Sequence, residues 1–141
     1  MMTETELLFE AIRDRNAEKL QNLLNANPQL VASKDARGFT PLIFATYFDN
    51  EAAAENLIDH NADVNGTDAS GNTALIGVSF KGNIDLVNLL IQNGADINAQ
   101  NNNGTTALSF ATQYNQDSAW KADPISDKSS KIHFIYGVFS F

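Results

Sequence analysis

Apolar residues recur along this chain at helical spacing, in short paired runs separated by polar turns. Leu7, Leu8, Ala11 and Ile12 form the first run, and Leu20, Leu23 and Leu24 form the second. Recurrence at steps of three and four residues predicts helices with one buried face. Thr3 and Glu6 stand ahead of the first run at capping-box spacing, so a helix is expected to begin there. The pair breaks at Arg15-Asn16, and Pro28 stops the second helix. Two more pairs follow. Leu42, Ile43, Phe44 and Ala45 precede Leu57 and Ile58, and Leu75 precedes Leu86, Leu89, Leu90 and Ile91. A fourth pair opens with Leu108 and Ala111. It then departs, carrying Ala122-Asp123-Pro124 where the third has Leu89-Leu90-Ile91. Asp and Pro do not continue a buried helical stripe, so only Ala119, Trp120 and Ala122 remain as apolar candidates for its second helix. A polar stretch, residues 126–131, and an apolar one, Ile132–Phe141, end the sequence.

The connecting segments repeat as well. Asp35-Ala-Arg-Gly38-Phe-Thr40-Pro41-Leu42 returns as Asp68-Ala-Ser-Gly71-Asn-Thr73-Ala-Leu75, and again as Asn101-Asn-Asn-Gly104-Thr-Thr106-Ala-Leu108. The step is thirty-three residues each time, and a period of that size indicates a stacked array rather than one globular core. Gly38 suits a tight turn with positive φ. Thr40 is expected to cap the next helix, with Pro41 in its first position. Asn16, Asp49, Gly82 and Asn115 keep the same step and are all residue types that tolerate a left-handed backbone. They are expected at the turns inside the helix pairs, in a register without gaps from Asn16 to Gln116. Asn61-Ala-Asp63-Val64-Asn65 and Gly94-Ala-Asp96-Ile97-Asn98 close their units and are expected to run extended. The first unit has no such connecting motif ahead of it. Its first helix carries Glu4, Glu6, Glu10, Arg13, Asp14 and Arg15, the solvated outer face that a terminal unit needs.

Charge narrows the partner classes. The 141 residues carry a net charge of −8, with a pI near 4.5. Nucleic acid and anionic membrane both reward clustered Lys and Arg, so neither is expected as a partner. There is no Cys, which excludes disulfides and thiolate chemistry and fits a reducing compartment. The start lacks a basic region followed by a long apolar run, and no apolar run approaches a membrane span. A soluble, cytoplasmic, monomeric protein is expected.

Catalytic chemistry finds little support. His60 and His133 are far apart in sequence and, without Cys, do not make a metal site. Glu51 and Glu55 stand one helical turn apart, as on any solvated helix face. Asp85 and Asp117 favour helix starts through the helix dipole. Phosphate loops, nucleophile elbows and zinc-binding helix motifs are missing. No cofactor, metal or catalytic residue is expected. Asn65-Gly-Thr67 and Asn103-Gly-Thr105 match glycosylation acceptors, but Asn-Gly is also good turn chemistry, and both are expected in the turns of the connecting motifs.

The motif Asp35, Gly38, Thr40, Pro41 and Leu42, with its recurrences at Ala74 and Ala107 in place of Pro, resembles the signature of the ankyrin repeat family. Gly94, Ala95, Asp96, Ile97 and Asn98 are similar to that family's repeat ending. The likeness covers roughly residues 5 to 116. It implies an all-α solenoid of stacked helix–turn–helix units with short hairpin finger loops. The units fall at about 3–33, 34–66, 67–99 and 100–122, giving a repeat domain over 1–122 and an atypical tail over 123–141. Where the family often carries a histidine, this chain has Ile43, Ile76 and Ser109, so the stack is expected to lean on apolar packing and on its Asn and Asp residues.

The resemblance implies non-catalytic binding of another protein. Finger tips and the concave side of each first helix are the positions the fold leaves open. The candidate partner-binding residues are Arg37, Phe39, Tyr47 and Phe48 in the second unit. Ser70, Asn72, Phe80 and Lys81 follow in the third, and Asn102, Asn103, Gln113 and Tyr114 in the fourth. Large rings among them are informative, because aromatics and Arg dominate interface hot spots; the competing reading is that the rings pack between repeats. A small acidic inhibitor or immunity-type protein, or the accessory subunit of an enzyme, is the alternative function. Three readings of the tail stay open: a cap built on Trp120, Ile132, Phe134, Ile135 and Tyr136, a partner-facing peptide, or a sequence altered after about Gln116.

Overall fold

The structure is a computed structural model and describes residues 1–107 and Ser109. The fourth unit beyond Ser109 and the tail, with Gln113 and Tyr114, lie outside the described residues. Three helix pairs stand in chain order: α1 (Glu4–Arg13) with α2 (Ala17–Ala26), α3 (Pro41–Tyr47) with α4 (Glu51–Asp59), and α5 (Ala74–Lys81) with α6 (Ile84–Gln92). The first helices pack in the row α1, α3, α5, and the second helices in the row α2, α4, α6. Among the described residues there is no named strand; one isolated bridge, Thr67 to Thr73, closes a finger. The fold is an all-α helix–turn–helix stack.

Local chemistry places every helix start. The Thr3 hydroxyl accepts from the Glu6 N–H while the Glu6 carboxylate accepts from the Thr3 N–H, completing the capping box. Thr40 and Thr73 cap α3 and α5 in the same way through their hydroxyls. The second helices use asparagine instead: Asn16, Asn50 and Asn83 accept from the backbone three residues on.

These caps correct the expected register of the first turn. The left-handed residues are Arg15, Asp49 and Gly82, so Asn16 is a cap and not the turn residue. Arg15 and Asp49 are thirty-four apart, one more than the later step. An asparagine side chain that can cap α2 directly outweighs its tolerance of positive φ, and the arginine before it takes the turn. Two smaller corrections follow. Pro28–Ala32 forms a short 3-10 helix after α2, with Asn27 as its cap. The segments at Asp63 and Asp96 turn rather than run extended, because each carboxylate accepts from the N–H two residues later.

The core is the periodic apolar set. Leu8, Ile12, Leu20, Leu24, Leu42, Leu57, Leu75, Leu86 and Leu90 are fully buried. Ile43 and Ile76, which stand where the family often carries a histidine, are buried too, so the stack packs apolar side chains there. Polar groups cross between units at the caps. Asn50 donates from Nδ2 to the Ile12 carbonyl at the end of α1, 3.0 Å, and Asn83 donates to Asp49 Oδ1, 2.9 Å. Each amide therefore caps its own helix with one half and ties to the preceding unit with the other.

Candidate functional site

Three fingers share one construction. In the first, Asp35 Oδ1 accepts from the Arg37 and Phe39 N–H groups, and the Gly38 N–H closes the turn on the Asp35 carbonyl. Asp68 does the same with Ser70 and Asn72, and Asn101 with Asn103 and Thr105. Only one side-chain oxygen is needed, so aspartate and asparagine are interchangeable for the turn. They are not interchangeable for charge. Burial pushes the Asp35 carboxyl up, but hydrogen bonds from the Arg37 side chain and the two backbone N–H groups outweigh it and hold the group below its usual range. A carboxyl depressed in the folded state adds stability above its unfolded pKa, and that stability disappears as pH falls through the folded value. Asp35→Asn is therefore expected to lower the melting temperature at neutral pH, and the gap to wild type should narrow as pH falls from neutral through and below the ordinary aspartate value of about 4. Melting curves across that range check it; a gap that stays constant contradicts the assignment.

Neighbouring fingers are bonded to each other. The Asn102 N–H donates to the Ser70 carbonyl, 2.9 Å, Asn102 Nδ2 to the Ala69 carbonyl, 3.2 Å, and Asn101 Nδ2 to Asn72 Oδ1, 2.8 Å. Asn72 and Asn102 thus use part of their amide chemistry inside the stack. Asn103 stands at the exposed tip. Asn65, expected in a finger turn, sits before the finger instead: it donates to the Gly94 carbonyl and accepts from the Asp96 N–H. Its role is to join units.

The aromatic residues concentrate on α3. Phe9, Phe44, Phe48, Tyr47 and Phe39 form a chain of ring contacts with centroids 4.8–5.9 Å apart. Phe9 and Phe44 are buried, whereas Tyr47 is 54% exposed, Phe80 47% and Phe48 36%. The Arg37 guanidinium lies 4.4 Å from the Phe39 ring centre and 5.4 Å from that of Phe44. It is held by two donors on Asp35 Oδ2. Lys81 lies 5.2 Å from the Tyr47 ring and bonds the Tyr47 carbonyl and Asp49. With Arg15 on the Phe48 carbonyl, 2.7 Å, two cations from neighbouring units meet the negative end of α3.

A groove of about 350 Å³ runs between α3 and α5. Ile43, Thr46 and Tyr47 form one wall, Ile76, Gly77 and Phe80 the other, and Phe39, Asp68, Asn72 and Lys81 stand at its rim. Phe39, Tyr47, Asn72, Phe80 and Lys81 from the candidate residues meet here. Phe48, Arg37, Ser70, Asn102 and Asn103 do not line it. Gly77 and Asp68 were missed among the candidates. The signal for Gly77 was available, since glycine stands thirty-three places after Phe44. A second depression, of about 460 Å³, lies on α2 between Asn16 and Ala26. Its walls come from a single helix and its cap, so no groups converge there from separate elements.

The histidine and the paired glutamates of the described residues serve the stack and its surface. His60 contacts the Asn56 carbonyl through Nδ1 and Asn25 Oδ1 through Nε2, joining α4 to α2. Among the described residues no group of three His, Cys, Asp or Glu converges on a metal position. Glu51 and Glu55 are exposed on α4. No described helix is long and apolar enough to cross a membrane.

Family comparison agrees with this geometry. The family model described as ankyrin repeats in three copies matches residues 7–101 and 66–122. The chain belongs to the ankyrin repeat family. Ankyrin repeats are in general protein–protein interaction modules, and the family is in general non-catalytic. Comparison with curated proteins yields no match. In this ankyrin stack the groove lies between the first helices and the fingers of the second and third units, and the most exposed rings border it.

Proposed function

We propose that this chain is a non-catalytic protein-binding module that holds its partner between the finger loops and the face of the first helices. The observation that carries the reading is the exposure of Tyr47 and Phe80, which both line the groove, with Phe48 exposed at the end of α3. Met1 and Met2 aside, they are the large hydrophobics exposed among the described residues. Tyr47 and Phe80 leave large aromatic surface exposed at an apolar groove, and aromatic side chains dominate interface energetics. Arg37, Phe39, Ser70, Asn72, Lys81, Asn102 and Asn103 complete the surface, and Gln113 and Tyr114 continue the same register. Residues 1–122 serve as the repeat domain, working as a monomer in the cytoplasm without a cofactor.

The test is an affinity capture from native cell extract with wild type and a Tyr47→Ala/Phe80→Ala double variant. The variant is expected to keep its melting temperature within a few degrees and to lose the wild-type partner, with each ring contributing about 2 kcal/mol. Equal capture by a variant whose melting temperature has fallen sharply would show that the rings serve the stack instead.

A further inference from the structure

We infer that the groove is a socket for a partner segment in which an Arg or Lys stands beside one bulky apolar side chain, the apolar group seated over Gly77 and the cation on Asp68. The inference rests on the protein-binding reading and names the chemistry of the segment bound.

Gly77 lies inside α5, where glycine is among the poorest helix formers. Its φ is not positive, so no turn requires it. Among the described residues no atom comes within 4 Å of the position a Cβ would take, so no close approach requires it either. One repeat earlier the same position is Phe44, a ring buried against Phe9 and Phe48. The third unit therefore lacks a side chain that the second unit carries. The space left opens into the groove, between Tyr47 and Phe80.

The counterpart of Arg37 is missing from the same unit. In the first finger Arg37 neutralises Asp35 through Oδ2. In the second finger Ser70 stands in the arginine's place, and among the described residues Asp68 Oδ2 has only the Asn72 amide, 3.5 Å away. Asp68 is at the groove rim. The cation already there, Lys81, is held by Asp49 and the Tyr47 carbonyl. The second unit also shows how close the two missing groups should be, because its own guanidinium lies 5.4 Å from the centre of the Phe44 ring. A partner with Arg or Lys next to Phe, Tyr, Trp or Leu supplies the third unit with both groups. Charge favours the same partner. Residues 1–107 hold fourteen carboxylates against six Lys and Arg, and all six cations are engaged inside the stack.

The experiment pans a displayed library of random peptides against the full chain, then measures the recovered peptides as synthetic probes. Recovered sequences are expected to pair Arg or Lys with a neighbouring aromatic or Leu, and to bind more weakly as ionic strength rises. Gly77→Leu should fill the socket and weaken binding by about tenfold or more, with a melting temperature equal to wild type or higher. Asp68→Asn should weaken binding while the finger stays folded, since Asn101 builds the same turn in the next finger. Ser70→Arg should also weaken binding by supplying the cation internally. If probes bind Gly77→Leu and Asp68→Asn as tightly as wild type yet lose affinity for Tyr47→Ala/Phe80→Ala, the socket is wrong and the protein-binding surface stands. Probes indifferent to all of these variants, or a library from which nothing is retained, overturn both.

Discussion

Phe44→Ala is expected to destabilise the stack by about 3–5 kcal/mol, a large part of the 5–15 kcal/mol typical of a folded domain. Phe44 is 7% exposed and its ring meets Phe9 on α1 at 4.9 Å and Phe48 on its own helix at 4.8 Å. Removing it leaves a void at the contact between α1 and α3, which helices cannot close without shifting both units. A solenoid is held by neighbour-to-neighbour interfaces, so the damage should be uneven. Backbone amides of α1 and α2 are expected to lose hydrogen-exchange protection before those of α6. Urea unfolding supplies the total, as a lower midpoint at similar slope. Tyr47→Ala, three residues along the same helix but half exposed, should cost less than about 1 kcal/mol. Similar losses for the two variants would mean that ring burial, as described here, does not govern their energetics.

Gly71→Ala should be nearly as damaging, at about 3 kcal/mol, while Gly104→Ala should cost only about 1–2 kcal/mol. The two glycines hold the same finger position with φ of +79° and +76°, so the cost of placing an L-residue in the left-handed region is common to both. Their surroundings differ. A Cβ on Gly71 would lie 2.5 Å from Asn102 Oδ1 and 2.9 Å from the Asn102 backbone nitrogen, whereas no described atom comes within 4 Å of one on Gly104. The amide oxygen can rotate away, but the backbone nitrogen cannot. Finger three would have to withdraw from finger two and give up the bonds from Asn102 to Ser70 and from Asn101 to Asn72. The difference between the two melting temperatures thus reads the finger–finger contact alone. Equal shifts would mean that the fingers do not support each other.

The helix caps were legible because they are local. Thr3, Thr40 and Thr73, at the starts of the first helices, act on backbone groups three residues away, and spacing along the chain is enough to find such partners. The buried face was legible for a similar reason: Leu42, Leu57, Leu75 and Leu90 follow the helical period, and the period dictates which side is covered. The first inter-helix turn misled because two properties of asparagine compete there. Asn16 suits a left-handed turn and also suits a cap, and only the placement of α2 shows that capping wins. Among the open positions, Tyr47 and Phe80 are exposed beside the groove, but Asn72 bonds its own finger and the next one, and Asn102 bonds the finger before it.

Periodicity and motif alone therefore determined the architecture: a unit of about thirty-three residues, the starts of its first helices, its finger turns and the apolar stripe that joins one unit to the next. Each depends on interactions within a few residues or on a face shared by a whole helix. The site was decided by contacts between residues about one repeat apart. Asn50 reaches Ile12, Arg15 reaches Phe48, Lys81 reaches Tyr47 and Asn102 reaches Ser70. Such pairs carry no mark in local sequence, because either partner is compatible with its own unit alone. Gly77 is the clearest case. In sequence it is one small residue in a helix, and only stacking against α3 makes the missing side chain a groove between two exposed rings.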